Sequence, residues 1–319
     1  MYAKIFFEWT FWILFSVLLL IAGMDVTLLA TFTVLIAPAP FFILERKQGM
    51  RAAALGLLAG GVLVYVIAGS LSALIYVCAF GLLGLTFGLL AGRIKDGVEF
   101  TFAAIAASIL LKVVMMILFV KATGINPFVL EPAGAHGLAQ SVAATIGSAN
   151  ITISPESVEA YAKAMVETAS VLMPAMMILF AVVDTMLSCA FVRAAVRKRG
   201  GQPVPSLPPF GTWRFPKNIF WVLAAALAAD ILNKSLPDDR TWLVIAMNLR
   251  EVLRLVFVIE GLALCWYYMT ARRMPKAFKY IFTVLCVIMP PTSSLVAILG
   301  SFDIIFDFRN MMTRRKNRE

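Results

Sequence analysis

FWILFSVLLLIAG, residues 11–23, decides the class of this chain, and AAALGLLAGGVLVYV, residues 52–66, repeats its message. Neither stretch carries a charge. Neither alternates apolar with polar positions, as a barrel strand facing lipid on one side would. Nine such runs, at about 6–23, 26–44, 52–67, 71–91, 99–120, 169–192, 218–232, 242–270 and 280–308, take up most of the 319 residues. Hydrophobic residues make up 61% of the chain and charged residues 14%, against about 25% charged in soluble domains. That leaves too few polar groups to cover a surface in water. A helical crossing takes about 20 residues over roughly 30 Å of hydrocarbon, so the expectation is an all-α polytopic bundle of about eight or nine membrane segments.

The net charge of +10 does not point to nucleic acid, because of where the charges fall. Most of the 28 Lys and Arg lie at the N-terminus, in loops opening near Arg46, Arg93, Arg193 and Arg272, and in the C-terminal tail. This is the positive-inside pattern. It predicts an inner or plasma membrane protein with a cytoplasmic N-terminus and lipid as its surroundings. The four cysteines, Cys78, Cys189, Cys265 and Cys286, sit inside apolar runs without metal-ligand spacing and read as packing residues. Residues 6–23 read as a retained first helix and not a signal peptide, since no small-residue cleavage site follows.

Segments one and two are joined only by Gly23, Met24 and Asp25, which predicts an antiparallel hairpin. Pro38 and Pro40 lack amide hydrogens and clash with the carbonyl four residues back, so the second helix must kink or end there. Glu45, Arg46, Lys47 and Arg51 read as a cytoplasmic loop. Segments three and four are expected to join at Gly69 and Ser70. Gly56 and Gly60, and likewise Gly84, Gly88 and Gly92, stand four apart on one helix stripe where backbones approach closely, within the chain or between copies. The 121–168 stretch is expected on the outer face, with Ser154, Pro155 and Glu156 opening a helix that runs on into segment six. The basic, proline-rich 196–217 stretch reads as a cytoplasmic linker between a six-helix unit, 1–195, and a C-terminal helical unit, 218–319. Nine crossings would put the basic tail outside. Pro290 and Pro291 offer a resolution by making the last run a re-entrant hairpin; the alternative is a true outside C-terminus.

Charges within a membrane cost about 2.5–3.5 kcal/mol each at mid-helix and mark function or internal pairing. Lys112, Asp184, Arg250, Glu251, Arg254 and Glu260 are the candidates. The helical rise of about 1.5 Å per residue places Asp184 and Glu260 at similar depth, with Lys112 and Arg254 above them as a polar layer. The competing reading pairs Glu251 with Arg254 on one helix and Lys112 with Asp184 across two. Catalysis finds no support: His136 sits in an outer loop, and no hydrolase, metalloprotease or phosphate-loop motif is present. Asp303, Asp307 and Arg309 fit a helix-end salt bridge as well as a site. No cofactor or metal site is expected.

Three further stretches carry a resemblance. LPPF at 207–210 with TWRFP at 212–216, the ending LGSFD at 299–303 through FDFR at 306–309, and APAPF at 37–41 with Asn248-Leu249 resemble the YybS-like family of bacterial membrane proteins along essentially the whole chain. That family brings no assigned activity with it, but it implies a bacterial inner membrane. More distantly, the first six segments are similar to the S-components of energy-coupling-factor transporters and to the cell-shape protein MreD. That similarity implies a six-helix unit with a ligand pocket near its outer face. Segment one lacks the Ala-x-x-x-Ala stripe by which S-components dock on their partner, which leaves docking on an energising module in doubt.

The expectation is therefore a non-enzymatic membrane protein that binds or transports a small molecule, with Lys112, Asp184, Arg254, Glu260, Asn248 and the broken helix at Pro38 as its site. The alternative is an MreD-like scaffold recruiting other membrane or cytoplasmic proteins through its basic loops.

Overall fold

The computed structural model describes residues 2–25, 27–124, 155–236 and 240–310. Among these every regular element is helical. Of the 121–168 stretch, residues 125–154, with His136 and Ser154, lie outside the described residues, as does the basic tail from 311 onward. Two compact units divide the chain: Met1–Pro127 with Met177–Leu207, and Phe128–Met176 with Pro208–Glu319. Of the three divisions, that after Leu207 falls within the expected linker, that after Met176 falls inside a helix that the sequence reading assigns wholly to the first unit, and that after Pro127 lies outside the described residues.

In the first unit α1 (Tyr2–Asp25) and α2 (Thr27–Ile36) form the expected hairpin. The Thr33 hydroxyl donates to the Leu19 carbonyl at 3.0 Å, and Gly23 lies so close to Thr33 that a Cβ would sit 2.9 Å from its hydroxyl. The chain then breaks at Pro38, as a residue without an amide hydrogen requires. Helix α3 (Ala39–Gln48) restarts there, the Pro38 carbonyl accepting from the Phe42 amide at 3.1 Å. Phe41, Phe42, Ile43 and Leu44 are all 0% exposed, so α3 buries its whole circumference against its neighbours.

The basic stretch after segment two is not the open loop the sequence suggests. Glu45, Arg46 and Lys47 complete α3, where cations suit the negative end of the helix dipole. Gly49, at φ +87°, then turns the chain into α4 (Met50–Ile75). A seven-residue π-helical turn, Tyr76–Leu82, leads into α5 (Leu83–Arg93). Gly69, at φ +83°, breaks α4 at the expected joint. The 44 residues of Met50–Arg93 would reach about 66 Å as a straight helix, some twice the hydrocarbon thickness. The Gly84, Gly88 and Gly92 stripe is the seat of α3: side chains there would collide with the Pro38 carbonyl and with Glu45, and approach Arg46.

Helix α6 (Gly97–Thr123) is closed at both ends. The Asp96 carboxylate accepts from the Val98 and Glu99 amides at 2.9 and 2.8 Å, and Gly124 caps the other end in the left-handed conformation. Helix α7 (Pro155–Arg199) begins at the proline named from sequence and runs on without interruption through segment six. After it the linker is strapped to the first unit. The Gln202 amide donates to the Arg46 carbonyl at 2.9 Å, and Arg193 donates twice to the Pro205 carbonyl.

The second unit holds a 3-10 turn, Phe210–Thr212, then α8 (Ile219–Ser235), α9 (Arg240–Ala271), α10 (Lys276–Ile288) and α11 (Pro290–Phe306). Helices α9 and α11 cross where a side chain on Gly261 would collide with the Val296 carbonyl and one on Gly300 with the Phe257 carbonyl. Met289 and Pro290 bend α10 from α11 by 106°, which is the break expected of the proline pair.

The surface is inverted relative to a protein in water. Val66, Ile288 and Trp221 are 74%, 70% and 78% exposed, while Asp184, Glu260 and Arg309 are buried. Lipid tails as solvent account for both. Among the described residues four helical stretches are long and apolar enough to cross a membrane, or five if α10 and α11 form one broken span. The count falls below the apolar runs of the sequence for physical reasons. Pro38 cuts segment two into short pieces, α8 has only 17 residues, and Met50–Arg93 counts as one stretch although Gly69 breaks it.

Candidate functional site

The buried face of α6 carries Phe100, Thr101, Ala104 and Ser108 at helical spacing, and Lys112 follows one turn later on the same stripe. On α7, Ala181, Asp184, Thr185, Ser188, Cys189 and Val192 form the matching buried face. Where the two faces meet, the Lys112 ammonium donates to an Asp184 carboxylate oxygen and to the Ser108 hydroxyl, the latter at 2.7 Å. Ser108 in turn donates to Asp184 at 3.1 Å, and Thr185 reaches the same carboxylate at 3.3 Å. The Asp184 side chain is 2% exposed and that of Lys112 16%.

This pair borders a cavity of about 100 Å³ whose remaining walls are apolar, among them Val34 of α2, Ile75, Cys78 and Ala79 around the π-helical turn, and Leu111 and Met115 of α6. At about 30 Å³ per molecule it has room for a few waters. Two irregularities of the backbone border it: the α2–α3 break, three residues past Val34, and the π turn, a feature frequent at functional sites. The Leu35 carbonyl beside the break faces the Ser188 hydroxyl at 3.4 Å, while the Pro38 carbonyl is taken by Phe42. A larger open cleft of about 500 Å³ lies at the α3–α4 joint. There Lys47 pairs with Glu8 at 3.1 Å. Burial next to α5 pushes the Glu45 carboxyl above its ordinary range, with the neighbouring Arg46 guanidinium pulling the other way.

The other named residues lie in the second unit and have different partners. Glu260 binds Arg309 at 2.7 Å and accepts from the Phe215 amide at 2.9 Å. Arg309 also pairs with Asp303 at 3.0 Å and donates to the Gly211 and Trp213 carbonyls at 2.9 and 2.7 Å. Arg254 and Glu251 stand 3.8 Å apart on α9, both half-exposed. Asn248 repairs a helix. Pro174 opens the ladder of α7, and the Asn248 side chain accepts from the Ala175 amide and donates to the Val171 carbonyl, each at 2.7 Å. Of the expected polar layer, then, the structure brings Lys112 and Asp184 together, and it gives Arg254, Glu260 and Asn248 partners of their own.

Residues 13–304 match the family of predicted membrane proteins DUF2232. The chain belongs to that family. It is 24% identical over 304 residues to the uncharacterized protein YybS of Bacillus subtilis, covering 93% of this chain and 94% of that one. No solved structure matches. Lys112, Asp184, Asn248, Glu260 and Asp303 all fall inside the DUF2232 span, and Arg309 falls just beyond it.

Sequence reasoning missed Ser108 and Thr185 as members of the first cluster, although Ser108 was detectable as the hydroxyl one turn before Lys112. In the second cluster the pairing of Arg309 with Asp303 is the helix-end salt bridge read from sequence, whereas Glu260 and the Gly211 and Trp213 carbonyls, about 50 and 100 residues away, were not legible.

Proposed function

We propose that this DUF2232 protein is a multi-pass carrier of the bacterial inner membrane, non-catalytic, with an N-terminal unit that binds a small solute beside Lys112 and Asp184. The observation that carries this reading is a buried ion pair bordering a cavity within otherwise apolar, membrane-length helices. A charge pair in hydrocarbon is costly, and one placed purely for packing would be expected in a closed, void-free surround. The broken α2–α3 helix and the π turn favour the same reading, since irregular backbone at membrane depth is tolerated where it lines a cavity. Eight or nine segments, a cytoplasmic N-terminus and an outward-facing pocket complete the proposal.

The scaffold reading keeps one observation in its favour. The cavity, about 100 Å³, is below the roughly 300–1,000 Å³ of ordinary ligand pockets, so the unit would have to widen to admit an organic solute.

Cys78 lines that cavity and separates the two readings. With Cys189, Cys265 and Cys286 replaced by alanine, Cys78 in proteoliposomes is expected to react with a small membrane-impermeant methanethiosulfonate added to one face. A thiol inert from both faces would leave the scaffold.

A further inference from the structure

We infer that Asp184 is a proton-binding site and that Lys112 is its internal counter-cation, releasing the carboxylate as the proton arrives and pairing with it again as the proton leaves. The inference rests on the solute-binding reading above and names the proton as one of the species bound. The geometry argues it in three steps.

The first step is size and lining. A cavity of about 100 Å³ bordered by Val34, Ile75, Ala79, Leu111 and Met115 can hold water, but its walls offer no oxygen to a metal ion. Among the described lining residues the one side-chain oxygen group is the Asp184 carboxylate, and Ser108 and Thr185 already donate to it. A proton needs only the carboxylate. The second step is asymmetry. Asp184 is fixed by three hydrogen-bonding neighbours and is 2% exposed, whereas Lys112 is 16% exposed and hangs on a four-carbon stem. When the pair separates, Lys112 is therefore the member that moves. The third step is isolation. Among the described residues, the titratable groups around Asp184 are Lys112 on α6, Cys78 on the π turn and Cys189 on its own helix. Facing α2 brings only Val34 and Leu35. Arg193, further along α7, is engaged with Pro205. The site thus holds one carboxylate and one cation, with no second cation to keep Asp184 ionised once Lys112 withdraws.

The exchange balances simply. A proton delivered from bulk solution as hydronium adds to an Asp184 carboxylate oxygen and leaves neutral water behind, the N–H···O bond to Lys112 breaks, and Lys112 keeps its three protons as an ammonium. The site goes from net zero to +1. That charge, stranded among apolar walls, drives Lys112 toward water or toward an anion entering with the proton.

The test is pH-difference infrared spectroscopy of the full chain in lipid between about pH 4 and 9, the span of carboxyl and imidazole titration. The wild type is expected to show a carbonyl band of a protonated carboxylic acid that Asp184→Asn loses and Asp184→Glu keeps at a shifted frequency. The titration is expected to be the same in sodium and in choline buffers. A band undiminished in Asp184→Asn, or no titrating acid band in the wild type, overturns the inference. A band abolished by sodium overturns it in favour of a metal cation. Cys78 accessibility is read separately, so a reactive Cys78 without an Asp184 band would refute the proton site and leave the solute-binding reading standing.

Discussion

Lys112 and Arg309 are both cations sunk among apolar helices, and their surroundings differ. Arg309 spends its guanidinium on two carboxylates and three backbone carbonyls, all fixed in place, and it is 2% exposed. Lys112 has one carboxylate and one hydroxyl and a cavity at its side. A planar fork with five donors can be saturated by a rigid shell, while an ammonium on a flexible stem is a point charge that can leave. The contrast teaches that a buried ion pair carries no single meaning. In the second unit it clasps the 211–215 segment to α9 and α11, and in the first it borders a cavity.

Arg309→Met breaks the comparison hardest. It strands Glu260 and Asp303 and frees the Gly211 and Trp213 carbonyls, a loss of about 3–5 kcal/mol for removing one partner of a buried ion cluster. Thermal unfolding in micelles is expected to show it, together with new proteolysis between Pro208 and Lys217. A variant that melts like the wild type and resists the protease would show that the cluster clasps nothing.

Lys112→Met is expected to cost less, toward the lower end of that range at about 3 kcal/mol, because one flank of the pair is open. The sharper readout is the double variant with Asp184→Asn. Removing both charges should recover most of the loss, since what destabilises is the uncompensated partner. Losses that simply add would mean the two groups do not act as a pair.

Asn248→Leu comes next. It removes the amide that substitutes for the ladder bond opened by Pro174, stranding the Ala175 amide and the Val171 carbonyl for about 2 kcal/mol in all. Replacing Pro174 with alanine in the same chain is expected to restore stability. If it does not, Asn248 serves something other than the helix.

How much of this was legible in the sequence follows the range of the interactions. The breaks at Pro38, Gly69 and Pro290 were readable because they depend on one residue's backbone. So was the Lys112–Asp184 pairing, as one of two alternatives, because each charge lacked a partner on its own helix. Arg46 was read as loop because its burial depends on the Gly88 carbonyl and Gln202, and no local pattern announces either. The depth argument for Asp184 and Glu260 left their partners open for a related reason. Rise along a helix locates a residue on its own axis and says nothing about which neighbour faces it.

The smallest expected effect gives the closest reading of the first cluster. Ser108 is 0% exposed and hydrogen-bonds to both charges, taking a bond from Lys112 and giving one to Asp184. Ser108→Ala leaves the direct contact between the charges intact and removes only a hydroxyl, so the stability cost should be near 1 kcal/mol. If Ser108 merely fills space, nothing else should change. If it holds the ammonium against the carboxylate, its loss lets Lys112 visit the cavity more often, and Cys78, which lines the same cavity, should react faster with methanethiosulfonate while the melting temperature barely moves. An unchanged Cys78 rate would place the restraint on Lys112 in the carboxylate alone, and the difference between the two buried cations would then rest on the cavity and not on the hydroxyl.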